Sequence, residues 1–187
     1  MVVRVELGIQ QGLNSTLNSY LEKLLYLLTG HFSRPGTHGL HSWLAPLWGN
    51  TPGARHFATQ AEVISGLLSP NVFPDAVLSD HPDRLRVLWV DSANPVNTAA
   101  DTARVLQAMA ALDLMVVVDV AYTETAAQAD YVLPASSTFE KCEFTLFNFE
   151  LPTNYFHVRA PVLPSLPGTL SEPEIYGRLA RAMGLMP

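Results

Sequence analysis

A chain of 187 residues, of which 48% are apolar and only 15% charged, is long enough for one domain with a well-packed core. The net charge of −6 and the absence of any basic run argue against a general nucleic-acid-binding protein. The single cysteine, Cys142, excludes an internal disulfide and a metal site built from cysteines. No apolar stretch approaches the ~20 residues of a membrane span, and we expect no signal peptide.

The first third of the sequence predicts one amphipathic helix followed by a long irregular connection. Leucines recur at helical spacing within residues 13–29, and Gly30 follows at the position where glycine commonly ends a helix. Residues 31–58 show no periodicity and are rich in histidine, tryptophan, glycine and proline. We therefore predict an N-terminal helical segment in residues 1–58 and an α/β domain in residues 59–187, with a single continuous domain as the alternative.

Two short helical segments are predicted before the first strand. Thr59 and Glu62 have the spacing of a capping box, in which each side chain bonds the backbone N–H of the other residue. Apolar residues follow on one side of that predicted helix, at Val63, Ile64, Leu67 and Leu68. A helical turn is predicted at residues 75–78, in a region punctuated by prolines.

An alternation of strands and helices occupies the middle of the chain. Residues 85–90 and 114–119 are strongly apolar and predict two buried strands, and residues 131–133 predict a third. Thr98 and Asp101 have capping-box spacing, which predicts a helix from there to about residue 112. Its buried side is predicted to consist of Ala103, Leu106, Met109 and Ala110. A strand–helix–strand unit of this length implies parallel strands and the α/β class.

The rest of the chain predicts less regular structure and one last helix. Residues 123–129 predict a short helix, and the aromatic-rich chain beyond residue 141 predicts extended structure. Prolines between residues 161 and 167 predict irregular chain. Ser171 and Glu174 form another capping box, which predicts a final helix that carries Ile175, Leu179 and Met183 in phase and ends at Gly184.

Polar residues lie in the turns that follow the first two strands, where open parallel sheets bind ligands. The first turn contains Ser92 and Asn94 in the sequence Asp-Ser-Ala-Asn-Pro. Backbone N–H groups at the start of the following helix suit a phosphate or another anion. The alternative for Ser92 and Asn94 is a purely structural part in forming the turn.

The second turn begins at Asp119 and contains Tyr122, Thr123 and Thr125. A carboxylate there can accept hydrogen bonds from a ribose diol or from two N–H groups of a guanine, while the alternative is that Asp119 only caps the following helix. Lys141, further along, could neutralise a diphosphate, and its alternative is a solvated surface charge. Neither a GxGxxG fingerprint nor a P-loop is present in the sequence.

Three stretches of the sequence resemble the molybdopterin oxidoreductases, the dimethyl-sulfoxide-reductase superfamily of formate dehydrogenases and nitrate reductases. Residues 24–36, LLYLLTGHFSRPG, resemble the helix and turn that lead into the third domain of the family. Residues 87–96, VLWVDSANPV, resemble a strand and Asn-Pro turn of that domain. Residues 116–141 resemble its strand and its Thr-x-Thr-Ala, Ala-Asp-x-Val-Leu-Pro and Glu-Lys elements. The resemblance implies a Rossmann-like three-layer domain with a mainly parallel sheet and an N-terminal helical segment.

The resemblance also implies a cofactor, bis(molybdopterin guanine dinucleotide) around molybdenum, with one guanine dinucleotide arm bound at the strand ends of this domain. Carried over by position, Ala93 and Asn94 lie in the Asn-Pro turn of the family. Val118 and Asp119 lie at the strand end that faces the guanosine, and Lys141 matches the Glu-Lys lysine that reaches the cofactor.

The sequence departs from the family in two ways. After Lys141 the glycine and the Gly-Arg of the family are missing, so the cofactor contacts of that loop stay open. The molybdenum ligand, the cysteines of a possible iron–sulfur cluster and the carboxyl-terminal domain are absent from these 187 residues. We therefore expect a fragment of a molybdenum-dependent oxidoreductase that is inactive and carries no bound cofactor by itself.

The expected partners are the remaining domains of the parent chain and the molybdopterin cofactor, with no nucleic acid and no membrane span. The alternative function is a non-catalytic structural domain of a respiratory-complex-type subunit that has lost the cofactor, which the altered loop after Lys141 favours. A free-standing nucleotide-binding protein is a third interpretation. A cytoplasmic compartment is favoured, and a periplasmic one would follow if the parent carries a twin-arginine signal.

Overall fold

The structure, a computed structural model, describes residues 7–32, 34–35, 53–63, 66–145 and 156–186. The chain forms two compact units, residues 1–45 with 144–158 and residues 46–143 with 159–187. The boundary near residue 58 stays a prediction. Part of the irregular connection lies outside the described residues, as do Ile64, Phe147, Phe149 and Tyr155 of the other predicted segments.

The predicted first helix is confirmed as α2 (Ser15–Leu28), which follows the short helix α1 (Leu7–Gln10). Asn14 occupies the N-cap position, although its side chain makes no capping hydrogen bond. Gly30 has a φ of 68°, the left-handed conformation in which glycine ends helices. Tyr26 is buried, whereas most leucines of the helix are exposed, namely Leu17, Leu21, Leu25, Leu27 and Leu28.

The predicted helix from Thr59 is wrong in the part that the structure describes. Residues 53–63 instead form a reversal in which Arg55 and Glu62 pair in an antiparallel bridge. Gln60 has a φ of 58°, which a right-handed helix does not allow. The capping-box spacing was misleading here because Glu62 takes part in this bridge rather than in the first turn of a helix.

Three parallel strands form the sheet of the larger unit, in the order β1 (Val87–Asp91), β2 (Leu114–Asp119) and β3 (Tyr131–Pro134). The first pair of the register is Val87 with Leu114, and Val116 lies beside Tyr131 on the other side of β2. β2 has its predicted bounds, β1 begins two residues later and ends one residue later than predicted, and β3 ends one residue later. The α/β class with parallel strands is therefore confirmed.

Three short helices lie on the path between and before these strands. The predicted helical turn before β1 is α3 (Phe73–Leu78), and α4 (Pro95–Thr98) follows the turn after β1. Helix α5 (Thr102–Ala110) then leads to β2. Between β2 and β3, a single 3₁₀ turn at Ala126–Gln128 stands where a short helix was predicted.

The predicted capping box of Thr98 and Asp101 is wrong, because Asp101 is itself the N-cap of α5. Its Oδ1 atom accepts a hydrogen bond from the backbone N–H of Arg104 at 3.1 Å, the standard role of an aspartate at a helix start. Asp101 has a φ of 57°, so the chain breaks between α4 and α5. The buried side of α5 is Val105, Ala108 and Met109, with Leu106 partly buried and Ala103 and Ala110 exposed.

The sheet is covered by helices on both faces, as a three-layer domain requires. On one face, Met115 and Val117 of β2 pack with Val105 and Met109 of α5. On the other face, Val118 packs with Ile175 of the last helix. Because neighbouring side chains of a strand point to opposite faces, the unbroken Met-Val-Val-Val run of β2 supplies both cores.

The predicted last helix is confirmed as α6 (Glu172–Ala182). Ser171 is its N-cap residue, but the capping-box hydrogen bond is absent, and Glu174 pairs with Arg178 at 2.6 Å instead. Gly184 has a φ of 70° just past the end of the helix, as predicted.

The aromatic-rich chain after the parallel sheet contributes two short strands, β4 (Glu143–Thr145) and β5 (His157–Arg159), which form a separate two-stranded sheet. The segment with prolines between residues 161 and 167 is irregular, as predicted. Among the described residues, no helix has the length and apolar character needed to cross a bilayer.

Candidate functional site

The candidate site is the edge of the sheet at which the three parallel strands end. In the register of the sheet, Asp91 lies beside Val118, and Asp119 lies beside Pro134. The ladder continues for one step past β1, where the backbone N–H of Ser92 donates to the carbonyl of Val118 at 3.0 Å. The two turns that the sequence singled out are therefore neighbours at one edge.

The turn after β1 begins with a residue in an uncommon conformation. Ser92 has a φ of 54°, in the left-handed region that residues with a Cβ atom rarely occupy. Its hydroxyl donates to Oδ1 of Asp91 at 2.8 Å. The hydroxyl of Tyr176, on α6, donates to Oδ2 of the same carboxylate, and Nε1 of Trp89 donates to the Tyr176 oxygen at 3.0 Å. Both oxygens of Asp91 are therefore engaged.

Sequence reasoning missed Tyr176, which lies 85 positions from Asp91 along the chain. Burial and the hydrogen bond to the Asp91 carboxylate raise the pKa of the Tyr176 phenol above its usual value of 10.0, with a further contribution from the charge of Glu172. The hydrogen bond from Trp89 acts in the opposite direction. Tyr176 directly follows Ile175 on the helix, and no local sequence pattern signals its contact with Asp91.

The next two residues of the turn leave polar backbone groups open. Within the described chain, the backbone N–H groups of Ala93 and Asn94 donate no hydrogen bond. Ala93 is exposed and Asn94 is half-buried. Two successive free amides are the kind of donor pair that binds a phosphate or a carboxylate.

The side chain of Asn94 bonds other parts of the protein. Its amide nitrogen donates to Oε2 of Glu124 at 2.7 Å, and its Oδ1 atom accepts from the hydroxyl of Thr125 at 2.7 Å. The oxygen of that buried hydroxyl also accepts from the backbone N–H of Val96 at 3.1 Å. The hydrogen bond from Asn94 is the main reason that the pKa of Glu124 lies below its usual value. Asn94 therefore joins the turn after β1 to the loop after β2.

In the loop after β2, the Asp119 carboxylate and the Thr123 hydroxyl accept different backbone hydrogen bonds. Oδ1 of Asp119 accepts from the backbone N–H of Ala121 at 3.1 Å, its one side-chain hydrogen bond in the described residues. Thr123, rather than Asp119, caps the 3₁₀ turn, because its hydroxyl oxygen accepts from the N–H of Ala126 at 3.2 Å. The carboxylate of Asp119 therefore keeps capacity to accept further hydrogen bonds.

Lys141 is neither a solvated charge nor in hydrogen-bond contact with the strand ends. Its side chain is only 15% exposed, and its ammonium lies 2.5 Å from Oε1 of Glu172 and 3.7 Å from Oε1 of Glu143. In the described part of the chain, no hydrogen bond or ion pair joins Lys141 to Asn94 or Asp119. The structure thus brings Ser92, Ala93, Asn94, Val118, Asp119 and Thr123 to one edge and ties Lys141 to the start of α6.

These features define an α/β protein with open hydrogen-bonding groups at the carboxyl ends of parallel strands, the usual ligand site of such sheets. Residues 11–163 match the model of the family described as molybdopterin oxidoreductase. The chain therefore belongs to the molybdopterin oxidoreductases, an enzyme family, and the resemblance seen in the sequence is confirmed.

Individual relatives agree with this assignment. The chain is 36% identical over 109 residues to the probable oxidoreductase YoaE of Bacillus subtilis. The aligned segment covers 58% of this chain and 16% of that protein. It is 32% identical over 139 residues to the F420-dependent formate dehydrogenase 1 subunit alpha of Methanococcus maripaludis, covering 63% and 20% respectively. The chain thus spans a fifth or less of the length of these relatives.

The fold has a counterpart among solved structures. Acetylene hydratase from Pelobacter acetylenicus superposes with a TM-score of 0.57 at 23% sequence identity. The match covers 66% of this chain and 17% of that one. This likeness supports the α/β fold of the domain.

The donors and acceptors at the sheet edge fit part of a guanine dinucleotide. The free amides of Ala93 and Asn94 suit phosphate or ribose oxygens, and the Asp119 carboxylate suits the N–H groups of guanine. Lys141 fits less well, because Glu172 and Glu143 already balance its charge.

Proposed function

We propose that this chain supplies one side of the binding site for a guanine dinucleotide arm of a bis(molybdopterin guanine dinucleotide) cofactor. The parent protein would be a molybdenum-dependent oxidoreductase of the formate dehydrogenase and nitrate reductase type. The observation that carries the proposal is the pair of free amides at Ala93 and Asn94, next to the Asp119 carboxylate at one sheet edge. This arrangement offers donors for an anion and an acceptor for a base.

Each residue has a distinct proposed part. Ala93 and Asn94 donate backbone hydrogen bonds to the phosphate or ribose, and Asp119 accepts from the guanine edge. Ser92 sets the direction of the turn through its left-handed conformation. Val118 supplies backbone beside Ser92, to which its carbonyl is bonded at 3.0 Å, and Thr123 shapes the facing loop.

In this proposal the domain positions the cofactor and performs no redox step. When bound, the molybdenum cofactor supplies the electron transfer together with oxygen-atom or hydride chemistry, while the protein binds and orients it. The other domains of the parent chain complete the site, so the isolated chain should bind nucleotide weakly and be inactive. For Lys141 to reach a diphosphate, its ammonium would exchange Glu172 or Glu143 for a phosphate oxygen.

A second function is favoured by one specific observation. Lys141 is already paired with two carboxylates, and the glycine and Gly-Arg expected after it are missing. A lysine that only fastens α6 to the preceding loop suits a structural domain that no longer holds cofactor. In that case the free amides of the turn would bind water alone.

Nucleotide titration of the 187-residue chain tests the proposal against this alternative. The amide resonances of Ala93, Asn94 and Asp119 are followed by NMR as GDP is added, with CDP as the matched control because cytosine lacks the guanine N–H pair. We expect these resonances to shift with GDP at about millimolar concentration, since the rest of the site is missing, and less with CDP. The absence of any shift with millimolar GDP would contradict the proposed function and favour the structural domain.

A further inference from the structure

Helix α6 reaches the turn after β1 through a single tyrosine. The hydroxyl of Tyr176 donates to Oδ2 of Asp91, and Oδ1 of the same carboxylate accepts from the hydroxyl of Ser92 at 2.8 Å. The chain of contacts thus runs from α6 to the residue that precedes the free amides of Ala93 and Asn94. We propose that Tyr176 is a positioning residue that, through Asp91, holds this turn in the conformation that presents those amides to the nucleotide. This inference rests on the proposed function.

The conformation of Ser92 needs such support. A serine with a φ of 54° sits in a region that is favourable for glycine and unfavourable for residues with a Cβ atom. Its backbone N–H is fixed by the carbonyl of Val118, and its side chain by Asp91. The Asp91 carboxylate would be free to rotate toward solvent if Tyr176 did not hold its second oxygen.

Tyr176 is itself held in place from two sides. Nε1 of Trp89 donates to its oxygen at 3.0 Å, and the two rings lie 5.7 Å apart between centroids. The neighbouring residue, Ile175, is buried against Val118 and Ala135, which fixes α6 on the sheet. The hydroxyl therefore approaches Asp91 from a rigid position, as a positioning group should.

The alternative is a purely structural role, in which Tyr176 contributes only the packing of its ring. Tyr176→Phe separates the two possibilities, because it keeps the ring and removes the hydroxyl. Tyr131→Phe is the matched control, because it makes the same change at an exposed tyrosine at the amino end of β3, whose hydroxyl makes no hydrogen bond among the described residues. Asp91→Asn is a second test, because a neutral amide weakens both hydrogen bonds to this position.

Two readouts are measured on each variant, and the first needs no ligand. The backbone chemical shifts and the HN–Hα coupling of Ser92 report whether its left-handed conformation persists. The GDP affinity is then taken from the shifts of Ala93 and Asn94. We expect Tyr176→Phe and Asp91→Asn to alter the Ser92 signals and to weaken GDP binding about fivefold, the effect of losing one ordinary hydrogen bond. Tyr131→Phe should change GDP affinity less than about twofold.

The two readouts separate failure of this inference from failure of the proposed function. Unchanged Ser92 signals in both Tyr176→Phe and Asp91→Asn would overturn the positioning role, whatever happens with GDP. If the unmodified chain binds no GDP while those variants do change Ser92, the proposed function fails and Tyr176 is retained only as the residue that fixes the turn. A folded Tyr176→Phe variant with altered Ser92 but full GDP affinity would also overturn the inference.

Discussion

The turn after β1 and the segment around Lys141 were both predicted to contact the cofactor. They differ in which of their polar groups are already bonded within the protein. In the turn, the side chains of Ser92 and Asn94 are engaged inside the protein while two backbone amides stay open. Around Lys141 the side-chain charge itself is engaged, by Glu172 and Glu143. Under the proposed function, the binding groups of this edge are two backbone amides, which neighbouring side chains hold in place, together with the Asp119 carboxylate.

Asn94 also differs from the role expected of a ligand-binding residue. Asn94 does not offer its side chain to a ligand, because Glu124 and Thr125 use both ends of its amide group. Its side chain instead joins the turn to the loop after β2. A substitution that disturbs these inner contacts should therefore cost stability as well as binding.

The largest expected effect comes from Thr125→Val, which keeps the shape and removes the buried hydroxyl. Oδ1 of Asn94 and the backbone N–H of Val96 would both lose their partner in a site shielded from water. We expect the free energy of unfolding in urea to fall by about 2 kcal/mol, the penalty for unpaired buried polar groups.

Thr98→Val is the matched control for this substitution. The hydroxyl of Thr98 bonds the carbonyl of Asn94 at 3.0 Å, but the residue is exposed, so water can replace the lost donor. Its free energy of unfolding should change by less than about 0.5 kcal/mol. A loss below about 0.5 kcal/mol for Thr125→Val as well would show that its contacts with Asn94 and Val96 do not stabilise the turn.

A smaller effect is expected for Lys141→Gln, which tests whether Lys141 is a structural tether. The substitution leaves the carboxylates of Glu172 and Glu143 without their cation in a half-buried place, so we expect a loss of about 1 kcal/mol in the free energy of unfolding. Arg86→Gln is the control, because the Arg86–Asp113 pair is more than half exposed and should contribute below about 0.5 kcal/mol. A Lys141→Gln variant as stable as the parent would argue that the lysine is free to serve a ligand.

The pH dependence of the contact between Tyr176 and Asp91 gives the smallest expected effect. Burial, the hydrogen bond to Asp91 and the charges of Asp91 and Glu172 raise the pKa of Tyr176 in the folded protein. Its contribution to stability is therefore fully present below pH 10.0, the ordinary value, and is lost as the pH rises through the folded pKa. Urea unfolding between pH 9 and 11 should show a steeper decline for the parent chain than for Tyr176→Phe. If the free energies of unfolding of the two proteins changed in parallel with pH, the hydrogen bond between Tyr176 and Asp91 would be contradicted.

Local sequence patterns predicted the sheet well and the caps poorly. The apolar run of β2 identified a strand buried on both faces, because it is rich in β-branched valine and is short for a helix. The pairs Thr59–Glu62 and Thr98–Asp101 have the spacing of capping boxes, yet Glu62 forms a bridge with Arg55 and Asp101 is itself an N-cap residue. Spacing alone does not reveal whether a neighbouring group, such as the Arg104 N–H, offers the aspartate a better partner.

From the sequence, only those residues of the candidate site that directly follow a strand could be predicted. Strand ends gather at one edge in any parallel sheet, so Asn94 and Asp119 could be expected near each other. The partners of Lys141 and Asp91 could not be expected, because Glu172 and Tyr176 lie 31 and 85 positions further along the chain. Such contacts depend on where α6 packs, which the sequence pattern of the helix does not specify.

We propose that the strand-end groups, and not the lysine charge, would hold the nucleotide. The most direct test compares the GDP affinities of Asp119→Asn and Lys141→Gln with that of the parent chain, by NMR titration at one salt concentration. We expect Asp119→Asn to weaken binding about tenfold, the value of a charged hydrogen bond, and Lys141→Gln to change it less than about threefold. The reverse order, with Lys141→Gln the more damaging, would contradict the account.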